Sequence, residues 1–101
     1  MSERTDALEV LEELFESVVN SMPNDEFDSH QFILRLAHQH QQRYVQALAA
    51  FADAQYPFMV VHGEIAKRLK KRADLVTKIG EHDSEDIFRQ KNSASKWLKV
   101  G

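Results

Sequence analysis

The chain has no cysteine, only two prolines and three glycines, and a single tryptophan. Without thiols it cannot form a disulfide, a thiolate zinc centre or a cysteine nucleophile, a composition compatible with a reducing compartment. It also lacks the roughly 18 consecutive apolar residues that a membrane-spanning helix needs, so no membrane association is expected. The acidic N-terminal stretch has neither the basic start nor the apolar centre of a secretory signal, which makes the cytoplasm the expected location. No phosphate-cradling glycine loop, nucleophile elbow or zinc-binding helix motif occurs. The expectation is therefore a protein that is not an enzyme and carries no cofactor.

What is present is enough for one domain. Its 101 residues are 43% hydrophobic and 29% charged, close to the globular norm and long enough to bury a core without staples. The charges are segregated. Residues 1–61 carry Arg4, Arg35 and Arg43 against ten acids, whereas residues 62–101 carry ten bases against six acids, within a net charge of −3. Such a chain can present a basic face to a polyanion, or pair its two halves with each other or with a second copy.

Apolar periodicity predicts mainly helix. Ala7, Leu8, Val10, Leu11, Leu14, Phe15, Val18, Val19 and Met22 recur at three- and four-residue spacing and predict a first helix over 6–22, capped by Asp6 with Glu9 and ended by Pro23. Asp28 with Gln31 predicts a second capping box, with Phe27 and Phe32 placed to staple it. From there a long central helix is predicted over 29–54, because its apolar positions keep the period and no proline or glycine interrupts it. Gln55-Tyr56-Pro57 breaks that helix.

The segment 58–79 admits two readings, one amphipathic helix or a bent pair of helices meeting near Arg72-Ala73-Asp74. In the first, Phe58, Val61, Ile65, Leu69, Val76 and Ile79 point inward. Gly80 is expected to stop either version, and Glu81 to Ser84 reads as a turn. The tail, 86–100, fits either a β-hairpin turning at Asn92-Ser93 or a short helix. Trp97, the sole tryptophan in a charged tail, is expected to be buried.

The run Gly63-Glu64-Ile65-Ala66-Lys67-Arg68-Leu69 through Ala73-Asp74-Leu75-Val76-Thr77-Lys78-Ile79 resembles the helix-turn-helix DNA-binding superfamily, with Ile65, Ala66, Leu69, Val76 and Ile79 at the usual apolar positions. Lys70 and Lys71 depart from the pattern, standing where the family usually turns on glycine and buries an apolar residue. With a C-terminal hairpin as wing, the order of elements resembles a winged helix. That resemblance implies a mainly α fold with a small hairpin and a noncatalytic DNA-binding or regulatory role. Lys67, Lys70, Lys71, Lys78, Arg89 and Lys91 would meet phosphates and Thr77 would approach bases.

The competing expectation is a helical bundle acting as a protein-interaction or homodimerising module through the acidic first helix and its apolar stripe. Five histidines raise a metal site, but His38 and His40 project to nearly opposite helix sides and His30 lies eight residues from His38, so none is predicted. His40, beside the apolar stripe, is expected to be a buried, hydrogen-bonded imidazole. Asp83, Glu85 and Asp86 around Ser84 read as turn or capping groups.

Overall fold

The computed structural model describes residues 3–100. Five helical segments and three strands follow in the order α1 (Glu3–Glu12), α2 (Phe15–Ser21), β1 (Glu26–Asp28), α3 (Ser29–Gln39), α4 (Gln41–Ala50), α5 (Pro57–Lys70), β2 (Val76–Glu85) and β3 (Lys91–Lys99). Helix accounts for 53% and strand for 22% of the structure. The mainly α expectation is thus corrected to a mixed α/β fold. The strands form one antiparallel sheet in the order β1-β3-β2.

Local chemistry explains the best-predicted junction. Asp28 accepts the Gln31 N–H at 2.8 Å while the Gln31 side chain accepts the Asp28 N–H at 2.9 Å, the reciprocal capping box expected at this start. Phe27 and Phe32 stack beside it with ring centroids 6.1 Å apart. Pro57 occupies the first turn of α5, where its missing N–H costs nothing.

Two predicted helices are divided. The expected helix over 6–22 starts at Glu3 and breaks at Glu13-Leu14, so Asp6 lies inside α1 and is not its cap. The expected central helix over 29–54 breaks at His40, whose φ of −129° and ψ of 56° leave the helical region. Residues 38–43 form a wholly polar stretch between Ala37 and Tyr44. Burial therefore selects separate orientations for Phe32, Ile33 and Leu36 on α3 and for Tyr44 and Ala47 on α4. The His40 Nε2 is buried and has no hydrogen-bond partner, contrary to the satisfied imidazole expected there.

The largest correction lies in the segment 58–79. Neither one helix nor a bent pair forms: α5 ends at Lys70, a turn follows, and Val76, Thr77 and Ile79 enter β2, the extended conformation their branched side chains favour. The last four residues of the helix-turn-helix run, 76–79, are therefore strand, and no second helix forms. The tail does form a hairpin, but β3 pairs with residues 76–85, not with 86–91. Asn92 and Ser93 lie within the ladder opposite Ser84 and Asp83, and the turn is 86–90. Gly80 stops no helix; it sits at a β-bulge with φ of +156°, a value that favours glycine. The bulge leaves Ile79 exposed instead of inward.

One core joins these layers. Leu11, Phe15 and Val18 from the N-terminal helices meet Phe32 and Leu36 of α3, Val61, Ile65 and Leu69 of α5, and Trp97 of β3, all essentially inaccessible. Phe15 and Phe32 pack edge to face at 5.1 Å. Trp97 is buried as expected. The opposite charges of the two halves also meet within the chain, since Glu12 of α1 lies 3.3 Å from Arg68 of α5 and 4.0 Å from Arg72.

Candidate functional site

The residues predicted to contact DNA do not gather in one place. Lys67, Lys70 and Lys71 are exposed at the C-terminal end of α5, around a depression that Glu12 and Glu64 also line. Lys67 is 3.6 Å from Glu64. Thr77 and Lys78 follow Val76 at the start of β2, and Lys78 pairs with Glu81 at 3.0 Å. Arg89 sits in the hairpin turn with φ of 65°, 3.7 Å from Glu85, and Lys91 opens β3. At about 3.3 Å per residue, the ten residues of β2 put roughly 30 Å between its base, near the first group, and its turn, near the last. In-chain carboxylates thus accompany much of the basic cluster.

A different set of residues converges where the hairpin turn leans over the start of α5. Phe58 of α5 and Phe88 of the turn meet edge to face, with centroids 5.0 Å apart and planes at 86°. Phe58 also meets His62 at 5.9 Å. Together with Tyr56 and Met59 they line a cleft of about 510 Å³, whose polar margin includes His30, Gln55, Gln90 and Asn92. Tyr56 is 59% exposed, Met59 70%, Phe88 54% and Phe58 40%, so the apolar lining faces solvent.

The turn is built by Asp86. Its Oδ1 accepts the N–H of Phe88 at 2.9 Å and of Gln90 at 3.1 Å, and its Oδ2 accepts the Asn92 side-chain amide at 2.9 Å. These bonds, the Gln90 N–H foremost, hold the Asp86 carboxyl below the usual carboxylate range, so it is ionised at neutral pH. Asp86 is thus the capping group expected of that cluster.

The floor is neutral. Burial drives the His62 pKa down to about 4, against a smaller opposing pull from Asp86. Its Nε2 lies 2.5 Å from Tyr44 Oη, whose pKa burial raises to about 12. A neutral imidazole and a neutral phenol therefore share this hydrogen bond at pH 7.

The hairpin is held over α5 by a three-residue clasp. Asp28 Oδ2 meets His82 Nε2 at 3.0 Å, Ser29 Oγ accepts from Trp97 Nε1 at 3.0 Å, and His30 Nδ1 meets Ser84 Oγ at 2.6 Å. The rings of the turn are thereby fixed against those of the helix. Among the described residues, no group of three or more His, Cys, Asp or Glu side chains is placed to hold a metal ion, and no helix is long and apolar enough to cross a membrane.

Sequence reasoning missed this cleft because it assigned Phe58 to the buried stripe. A signal was present in Phe58-Met59-Val60-Val61, four consecutive apolar residues that a helix cannot turn inward together. Of these Val61 is buried, while Phe58, Met59 and Val60 remain exposed. No protein-family model, curated protein or solved structure matches this chain.

Proposed function

We propose that the chain is a noncatalytic protein-interaction module whose docking site is the cleft between α5 and the β2–β3 turn. The observation that carries this reading is the contiguous exposure of Tyr56, Phe58, Met59 and Phe88 around one concavity. Aromatic and methionine side chains in a concave, solvent-facing setting are the usual anchors of protein recognition. A peptide-display selection against the intact chain, counter-selected with Phe58→Ser and Phe88→Ser proteins, tests it. Sequences that bind the parent and lose at least about ten-fold in affinity with either variant support it. Failure to recover any cleft-dependent sequence contradicts it.

A second reading, DNA binding with the β2–β3 hairpin as wing, is favoured by one observation. The helix-strand-helices-strand-strand order, with β3 between β1 and β2, is compatible with the element order of a winged helix. Under it Lys67, Lys70 and Lys71 at the end of α5 and Lys78, Arg89 and Lys91 of the hairpin contact phosphates, and Thr77 approaches bases. Binding to a short duplex at low salt that Lys67→Glu, Lys70→Glu and Lys71→Glu together abolish, and that Phe88→Ser leaves unchanged, would support this second reading.

A further inference from the structure

The chemistry of the cleft selects among guests. Phe58 and Phe88 stand at right angles and form a corner with two differently oriented ring planes, with the Tyr56 phenol at its margin. Among the described residues no lysine or arginine lines this space, Asp86 is its one carboxylate, and its other titratable groups are the imidazoles of His30 and His62 and the phenol of Tyr56. Aromatic faces beside a carboxylate attract cations, most effectively where water is excluded.

The hydrogen-bond inventory narrows the cation. Asp86 Oδ1 already receives two backbone N–H groups and Oδ2 receives the Asn92 amide. A carboxylate so occupied lends negative potential but has little acceptor capacity left. A lysine ammonium pressed onto the ring faces would turn some of its three N–H donors from water toward carbon, and an arginine guanidinium some of its five. A quaternary ammonium has no N–H group to leave unsatisfied, and its methyl groups fit the ring faces.

We propose that the cleft recognises a trimethylated lysine side chain carried by a partner protein. This inference rests on the protein-interaction reading and specifies the chemistry of its anchor. The exposed amides of Gln55 and Gln90 at the margin are placed to meet the polar backbone on either side of such an anchor.

The test is a titration of the 15N-labelled intact chain with the N-acetyl amides of trimethyllysine, lysine and the uncharged analogue bearing a tert-butyl group in place of trimethylammonium, with choline as a fourth probe. The expected result is movement of the amide signals of residues 55–62 and 86–92, with trimethyllysine bound at least about ten-fold more tightly than any other probe. Phe88→Leu should weaken trimethyllysine binding while leaving the rest of the spectrum in place. Equal binding of the tert-butyl analogue would overturn the cationic anchor yet leave the protein-interaction reading standing. Choline binding as tightly as trimethyllysine would overturn the partner-protein source. Silence of the cleft with all four probes would overturn the inference outright, whereas the protein-interaction reading fails only if the display selection also yields no cleft-dependent peptide.

Discussion

Trp97 Nε1 donates to Ser29 Oγ across 3.0 Å, joining the last strand to the first residue of α3 deep in the core. Asp28 and His30, the residues on either side of Ser29, bond to His82 and Ser84 of the hairpin's other strand. Three successive residues thus set where the hairpin lies, and with it the distance from Phe88 to Phe58. The core and the cleft share one mechanical origin.

Replacing Trp97 should therefore damage both stability and the cleft. Trp97→Ala removes a side chain that is only 2% exposed and should cost about 3–5 kcal/mol in a urea melt. Trp97→Phe retains much of the burial but leaves the Ser29 hydroxyl without its donor, and should cost less. Unchanged stability in Trp97→Ala would refute this placement.

Stability should also fall in mild acid through His62. Its ordinary pKa near 6.5 applies in the unfolded chain, while burial holds it at about 4 in the folded one. The unfolded state therefore binds the proton first. The contribution of the neutral imidazole is complete above about pH 6.5 and is lost as pH falls toward about 4. Because the ring is partly solvent-exposed, we expect a difference of about 1–2 kcal/mol between the parent and His62→Gln in how stability changes over this window. Parallel pH profiles for the two proteins in urea melts would contradict the assignment.

Removing residues 1–22 should unfold the chain. Leu8, Leu11, Phe15, Val18 and Val19 belong to the single core, and full burial of each large apolar side chain contributes roughly 1.5–3 kcal/mol against a small net stability. The Glu12–Arg68 pair is partly exposed, so Glu12→Gln alone should cost under about 1 kcal/mol. A truncated chain that keeps the parent's circular-dichroism melt would refute the role of these helices; one that stays folded but changes mass would place their stripe in an assembly interface.

The sequence was legible where a local rule and burial agreed. Asp28 with Gln31, Phe27 with Phe32, and the helix break before Pro57 all formed as their local chemistry predicts. It was misleading where tertiary pairing decided. Residues 76–79 satisfy a helical period, yet β3 supplies their backbone with ladder partners and their branched side chains accept the extended form. The break at His40 carries no proline or glycine, only a polar gap that permits α3 and α4 to bury separate faces. The cleft was the least legible feature, because Phe88 lies thirty residues beyond Phe58 and no period links a turn residue to a helix start.

The most direct measurement is an amide-resolved NMR map of the intact chain bound to a peptide obtained by display selection. The account predicts that the largest shifts fall on residues 55–62 and 86–92, and that Phe88→Ser abolishes them while the remaining spectrum is unchanged. Shifts centred instead on Lys67, Lys70 and Lys71 at the far end of α5, with the cleft signals unmoved, would contradict it.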